Sequence, residues 1–161
     1  MVNEGQEFLR SKMGFNNTYD KGDAVNALRW TDRDRPLARE VMTFYRGMMH
    51  LRKSDAGRSF RVKTKPPHHY YRWIDHPDNR VLGYIVNAPR IHPGNGFIVV
   101  INAGMERQTV TVDLPAGNWK LISDGSEVKL DGIEGQDTLV GPRRINVTVP
   151  DIRSLIFMDG F

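Results

Sequence analysis

The chain has no cysteine in 161 residues. Disulfides, thiolate metal sites and a cysteine nucleophile are therefore excluded. No apolar run approaches the roughly 20 residues that a membrane-spanning helix needs, and the N-terminus lacks the charged-then-apolar pattern of a secretory signal. The reading accordingly places no membrane among the partners. It leaves the compartment open between cytoplasm and secretion. There is no internal repeat, and no serine stands in the context of a nucleophile elbow. Apolar residues make up 39% of the chain. That is modest but enough for one domain, or one domain with an appendage.

Charge is present but not gathered. Residues 1–65 hold 14 Lys and Arg against 8 Asp and Glu, while residues 66–161 hold 9 against 11. The cations stand singly among acids, so the basic half reads as solvated surface rather than a phosphate-binding stripe, and no nucleic-acid partner is expected.

Three pieces follow from the pattern. Residues 1–36 are punctuated by Gly5, Gly14 and Gly22 and closed by Pro36, and read as an irregular loop with short helical turns. In residues 37–53 the apolar positions Leu37, Val41, Phe44, Met48 and Leu51 fall on one helical stripe. Pro36 suits the first turn of that helix, and Arg52 with Lys53 suits its C-terminal end. Residues 57–161 read as all-β. Strands are expected at 69–74, 81–86, 97–101, 109–114, 145–149 and 154–158, with FIVVI (97–101) buried on both faces. Turns are expected at 76–79, 92–96, 114–118 and 123–126. Short strands between Gly/Pro/Asn/Asp turns predict an antiparallel β-sandwich.

Candidate chemistry is sparse. His68 and His69 would point to opposite faces of a strand and could not share an ion, and His50, His76 and His92 are isolated. No metal and no cofactor are expected. HPGNG (92–96) has no helix after it and reads as a turn. Trp73 and Trp119 are either sugar-stacking platforms or core. Glu4, Glu7, Asp20 and Asp23 could supply the two carboxylates of glycoside hydrolysis, but no regular element braces them.

The stretch GQEFLRSKMGFNNTYDKGDAVNALRW (5–30) resembles a segment of type I pullulanases and related debranching enzymes, in the alpha-amylase superfamily of glycoside hydrolases. The matching residues are Gly5, Gln6, Glu7, Phe8, Arg10, Lys12, Asn17, Tyr19, Asp23, Asn26 and Trp30, with Thr18 standing for Ser. FYRGMMHLRKS (44–54) resembles the last helix of that family's catalytic TIM barrel. VVINAG (99–104), LPAGNWKLISDG (114–125) and the closing apolar strand resemble its C-terminal β-sandwich.

The resemblance implies two domains. Residues 1–56 would be the end of a catalytic barrel, comprising the loop after strand eight and the last helix, and residues 57–161 a C-terminal Greek-key β-sandwich. It implies starch or glycogen debranching at α-1,6 bonds in a parent enzyme. The family's catalytic Asp, Glu and Asp lie upstream of Met1, so this piece carries no catalytic residue and is expected not to hydrolyse glucan. The family's loop after strand eight carries an Asp that binds a glucose, and Asp23 matches it, with Asn17 and Tyr19 beside it. Asp23 can equally order the loop or cap a helix. Position 27 is Ala where many members have Arg, which leaves half of that clamp in doubt. The implied partners are an α-glucan in the parent and the chain's own barrel. With that barrel absent, the stripe Leu37/Val41/Phe44/Met48/Leu51 is expected to be uncovered, and to fold onto a neighbouring chain, self-associate or be poorly ordered. The alternative function is a carbohydrate-binding module that uses Tyr71, Trp73 or Trp119.

Overall fold

Pro36 opens the one long helix, α2 (Pro36–Lys53), and His50, Arg52 and Lys53 crowd its last turn, where cations meet the negative end of the helix dipole. The computed structural model describes residues 2–88 and 90–160. Upstream of α2 the chain makes 3-10 turns at Gln6–Phe8 and Trp30–Asp34 and a four-residue helix, α1 (Asp23–Asn26). The expected irregular loop is therefore what forms. Downstream come six strands: β1 (Tyr71–Ile74), β2 (Val81–Val86), β3 (Phe97–Asn102), β4 (Gln108–Ser123), β5 (Leu139–Val149) and β6 (Arg153–Asp159). By contact density the chain divides into two compact units, Met1–Arg46 and Gly47–Phe161.

The second unit is the expected antiparallel sandwich. The strands run in the order β1-β2-β3-β6-β4-β5, every pairing antiparallel. β6 returns to lie between β3 and β4, which is the Greek-key-type crossover. β4 makes the sheet double over: its first half pairs with β5, while Trp119–Ser123 pairs with β6. One apolar cluster fills the interior so formed, with Ile85, Ile98, Val100 and Phe157 facing Val110, Val112 and Val147. A second cluster lies on the other face of β2, β3 and β6, where Val86, Phe97, Val99 and Ile156 meet Leu51 and Tyr70. Alternate residues of β3 enter the two clusters, so that strand is buried on both faces, as its uninterrupted apolar run requires.

Three details depart from the sequence reading. LPAGN (114–118) does not end a strand. It is a bulge inside β4, with the register slipping between Leu114 and Gly117. Gly141 faces it from β5, where a side chain would collide with the Pro115 carbonyl. His68 and His69 sit on a 3-10 turn, His68–Tyr70, and not on a strand. Pro66 and Pro67 before them deny the backbone N–H groups that would extend β1 backwards. The helix stripe is also split. Leu51 is buried and Met48 packs with it against the second sandwich cluster, whereas Leu37 is 60% exposed and Val41 and Phe44 are half-buried. The Met48 and Leu51 end of the stripe is thus covered by this chain's own sheet.

Candidate functional site in the N-terminal loop

Asn17, Tyr19 and Asp23 lie within one loop of the Met1–Arg46 unit, and all three are exposed, Tyr19 by 87%. Asn17 forms an Asx turn, its Oδ1 accepting the Tyr19 N–H at 3.4 Å. Gly22, at φ 64°, turns the chain into α1, and Asp23 is the first residue of that helix. The Asp23 backbone carbonyl accepts the Ala27 N–H at 3.0 Å. The Asp23 side chain is exposed. Ala27 is exposed.

The loop takes its shape from other side chains. Arg10 donates from Nη2 to the Asn26 carbonyl, across sixteen positions. Asn26 Nδ2 donates to the Thr18 carbonyl at 2.5 Å, and Lys12 Nζ donates to Thr18 Oγ1 at 2.9 Å. Thr18 is itself buried. Phe8 lies under the turn with its ring 5.8 Å from that of Trp30. Arg10, Lys12, Thr18 and Asn26 therefore form the brace that the sequence reading did not find. A pair of residues sixteen apart leaves no periodic trace, and only the polar density of the stretch hinted at it. The carboxylates of Glu7, Asp20 and Asp23 form no ion pair among the described residues. No group of three or more His, Asp or Glu assembles at metal-ligand spacing among the described residues.

The aromatic candidates separate. Trp119 is wholly buried in the sandwich interior, with Nε1 donating to the Pro115 carbonyl at 3.0 Å. Trp73 is 66% exposed on the edge strand β1. It meets Tyr84 edge-on, centroids 5.7 Å apart and planes at 65°, and Tyr71 is half-buried beside them. Burial holds the Tyr84 phenol above its usual pKa, and neighbouring Tyr71 adds to the shift.

The fold and this loop have counterparts among known proteins. Over 63 residues the chain is 35% identical to the pullulanase of Bacillus subtilis (strain 168), a stretch that is 39% of this chain and 8% of that protein. The structure of the type I pullulanase from Bacillus subtilis str. 168, complexed with maltose, superposes with a TM-score of 0.71 at 22% identity, covering 98% of this chain and 20% of that one. The chain resembles the C-terminal domain of a pullulanase. The pullulanase from Bacillus acidopullulyticus matches at TM-score 0.69 and 24% identity, over 96% of this chain and 18% of the enzyme. A pullulanase from Anoxybacillus sp. LM18-11, solved with maltotriose, matches at TM-score 0.63 and 19% identity, covering 98% of this chain and 20% of its own. This pullulanase-like chain therefore spans about a fifth of the solved pullulanases and less of the curated one. No family model matches it.

Proposed function

We propose that the chain is the non-catalytic C-terminal portion of a pullulanase-type hydrolase that cleaves α-1,6 bonds of an α-glucan. In this reading residues 1–56 complete a catalytic barrel and residues 57–161 form a sandwich that stabilises it. The observation that carries the reading is the alignment itself: nearly the whole chain superposes on pullulanases, yet accounts for about a fifth of their length. A barrel active site is assembled from several strand ends, so one loop and one helix cannot supply the acid, the nucleophile and the transition-state stabiliser together. The purified chain is expected to leave pullulan intact. Cleavage above contamination controls would refute the non-catalytic reading.

Within the parent enzyme Asp23 accepts hydroxyl hydrogen bonds from a bound glucose, with Asn17 and Tyr19 shaping the same subsite. The exposed Asp23 carboxylate supports this. A hydrogen bond to a charged group is worth about 1.5–3 kcal/mol, so Asp23→Ala should lower kcat/KM on pullulan by roughly 10- to 150-fold. An unchanged kcat/KM would remove Asp23 from the sugar site. The carbohydrate-binding-module reading is weaker, because Trp119 is core and Trp73 and Tyr84 meet edge to face instead of offering one flat platform.

A further inference from the structure

A cleft of about 770 Å³ opens at the bulge of β4, made wholly by residues of the Gly47–Phe161 unit. Its volume falls within the roughly 300–1,000 Å³ of small-molecule sites. Leu114, Pro115, Ala116 and Pro142 give it an apolar floor, and Arg72, Arg90, Asp113 and Asp159 stand around that floor.

The rim is preorganised. Arg90 holds Asp159 through two parallel bonds, Nε to Oδ2 at 3.0 Å and Nη2 to Oδ1 at 2.9 Å. Asp159 Oδ1 also accepts the Gly96 N–H at 2.8 Å, and the Asp159 side chain is only 9% exposed. Arg90 is a non-glycine residue at positive φ, 24°, so the backbone there is strained to place this side chain. Arg144 grips Asp113 in the same two-pronged way, at 2.7 and 3.2 Å. These bonds hold the Asp113 carboxyl below its usual pKa, and Arg72 adds to the effect from longer range. Arg72 itself makes no ion pair among the described residues.

Two arginines and two aspartates line the cleft, and Arg144 stands against Asp113 as a third cation. A guanidinium has five N–H donors and each bidentate pair uses two of them, while the carboxylate oxygens keep spare lone pairs. The rim thus offers donors beside acceptors, over a floor that suits the C–H face of a saturated ring. A vicinal diol can donate to the carboxylate and accept from the guanidinium at once. An anion could use only the donors and would find the carboxylate acceptors repulsive. We propose that this cleft binds a neutral, hydroxyl-rich ring: the end of a short oligosaccharide. The proposal stands on the cleft alone and does not need the loop reading above.

The test is a backbone amide NMR titration of the 161-residue chain with maltotriose, and in parallel with inorganic phosphate. Saturable shifts at Ala116, Gly117, Asn118 and Gly160 with maltotriose, and none there with phosphate, are expected. Arg72→Ala and Asp113→Asn, both at exposed positions, should each weaken that binding about fivefold, the equivalent of one lost hydrogen bond. The amides of Ile98–Val100 should stay in place in both variants, which verifies the fold. Absence of saturable shifts, the same four amides answering phosphate instead of maltotriose, or unchanged affinity in both variants would each overturn the proposal. Shifts at Asn17, Tyr19 and Asp23 report separately on the loop, so the two readings fail independently.

Discussion

Of the buried apolar side chains named among the described residues, only Phe8 and Ala38 belong to Met1–Arg46, whereas twenty-one belong to Gly47–Phe161. Yet each unit exposes seven large hydrophobics, and the first unit has 46 residues in which to do so. The second unit is ordered by burial. Two apolar clusters share the central strand β3 and lock its register on both faces. The first is ordered by side-chain clasps onto backbone, with Arg10 on Asn26 and Asn26 on Thr18. Burial is non-directional and scales with area, while a single hydrogen bond adds about 1 kcal/mol net. The comparison therefore forecasts a stable sandwich and an N-terminal unit that opens locally at low cost.

The largest effect should come from the sandwich interior. Trp119 is fully buried between the two halves of the sheet, and Trp119→Ala should cost about 3–5 kcal/mol. It would appear as a lower urea midpoint with the denaturant slope unchanged. A loss under about 1 kcal/mol would mean that the interior is not what orders this unit. The next test lies along one helix. Leu51→Ala, in the part of α2 packed on the sheet, should cost about 2–5 kcal/mol. Leu37→Ala, fourteen positions earlier on the same expected stripe and 60% exposed, should stay within about 0.5 kcal/mol. Equal losses at both positions would erase the distinction between the two ends of the helix.

The same contrast explains what could be read from the sequence. β2, β3 and β6 were legible to within a residue at either end, because buried strands write uninterrupted or alternating apolar runs. The limits of α2 were legible from Pro36 and its basic last turn. Its covering was not, since Leu37 and Leu51 carry the same 3.6-residue signal while only one meets a sheet. β4 was cut short because Pro115 and Gly117 spell a turn locally. Pairing with both β5 and β6 converts that signal into a bulge. The site loop was recognisable only as a polar stretch with a family likeness. Its clasps join residues that no periodicity relates, and the cleft at the bulge draws on four strands and a loop far apart in sequence.

A smaller effect probes polar order inside the sandwich unit. Asn87 is fully buried, and its Nδ2 donates to Ser59 Oγ at 3.1 Å and to the His92 carbonyl at 3.0 Å, while Oδ1 accepts the His92 N–H at 3.0 Å. Its backbone sits at φ 54°. Asn87→Gly removes the bonds but tolerates the conformation, and should cost about 1–3 kcal/mol. Asn87→Ala should cost about 1–2 kcal/mol more, because Ala must be forced into the left-handed region. If the two variants matched, strain would play no part and the hydrogen bonds alone would anchor this turn.

The smallest effect concerns the β1–β2 turn, where a surface charge pair spans the turn. Asp78 Oδ1 accepts both the Arg80 N–H, at 2.9 Å, and Arg80 Nε, at 3.0 Å, and Oδ2 accepts Arg80 Nη2 at 2.7 Å. These bonds lower the Asp78 pKa to about 2. A carboxylate whose folded pKa lies below its unfolded value of about 3.9 contributes stability above the unfolded value and loses it as pH falls toward the folded one. The contribution should therefore be complete at neutral pH and fade between about pH 4 and pH 2. Carboxyl-carbon NMR should place the Asp78 midpoint near 2, and Arg80→Gln should move it up toward about 3.9. A midpoint that did not move would show that Arg80 is not its cause. The turn would then owe its shape to the Asp78 backbone, whose carbonyl already takes the Val81 N–H at 3.0 Å. In that case even the surface of the sandwich unit would be ordered without help from its charges.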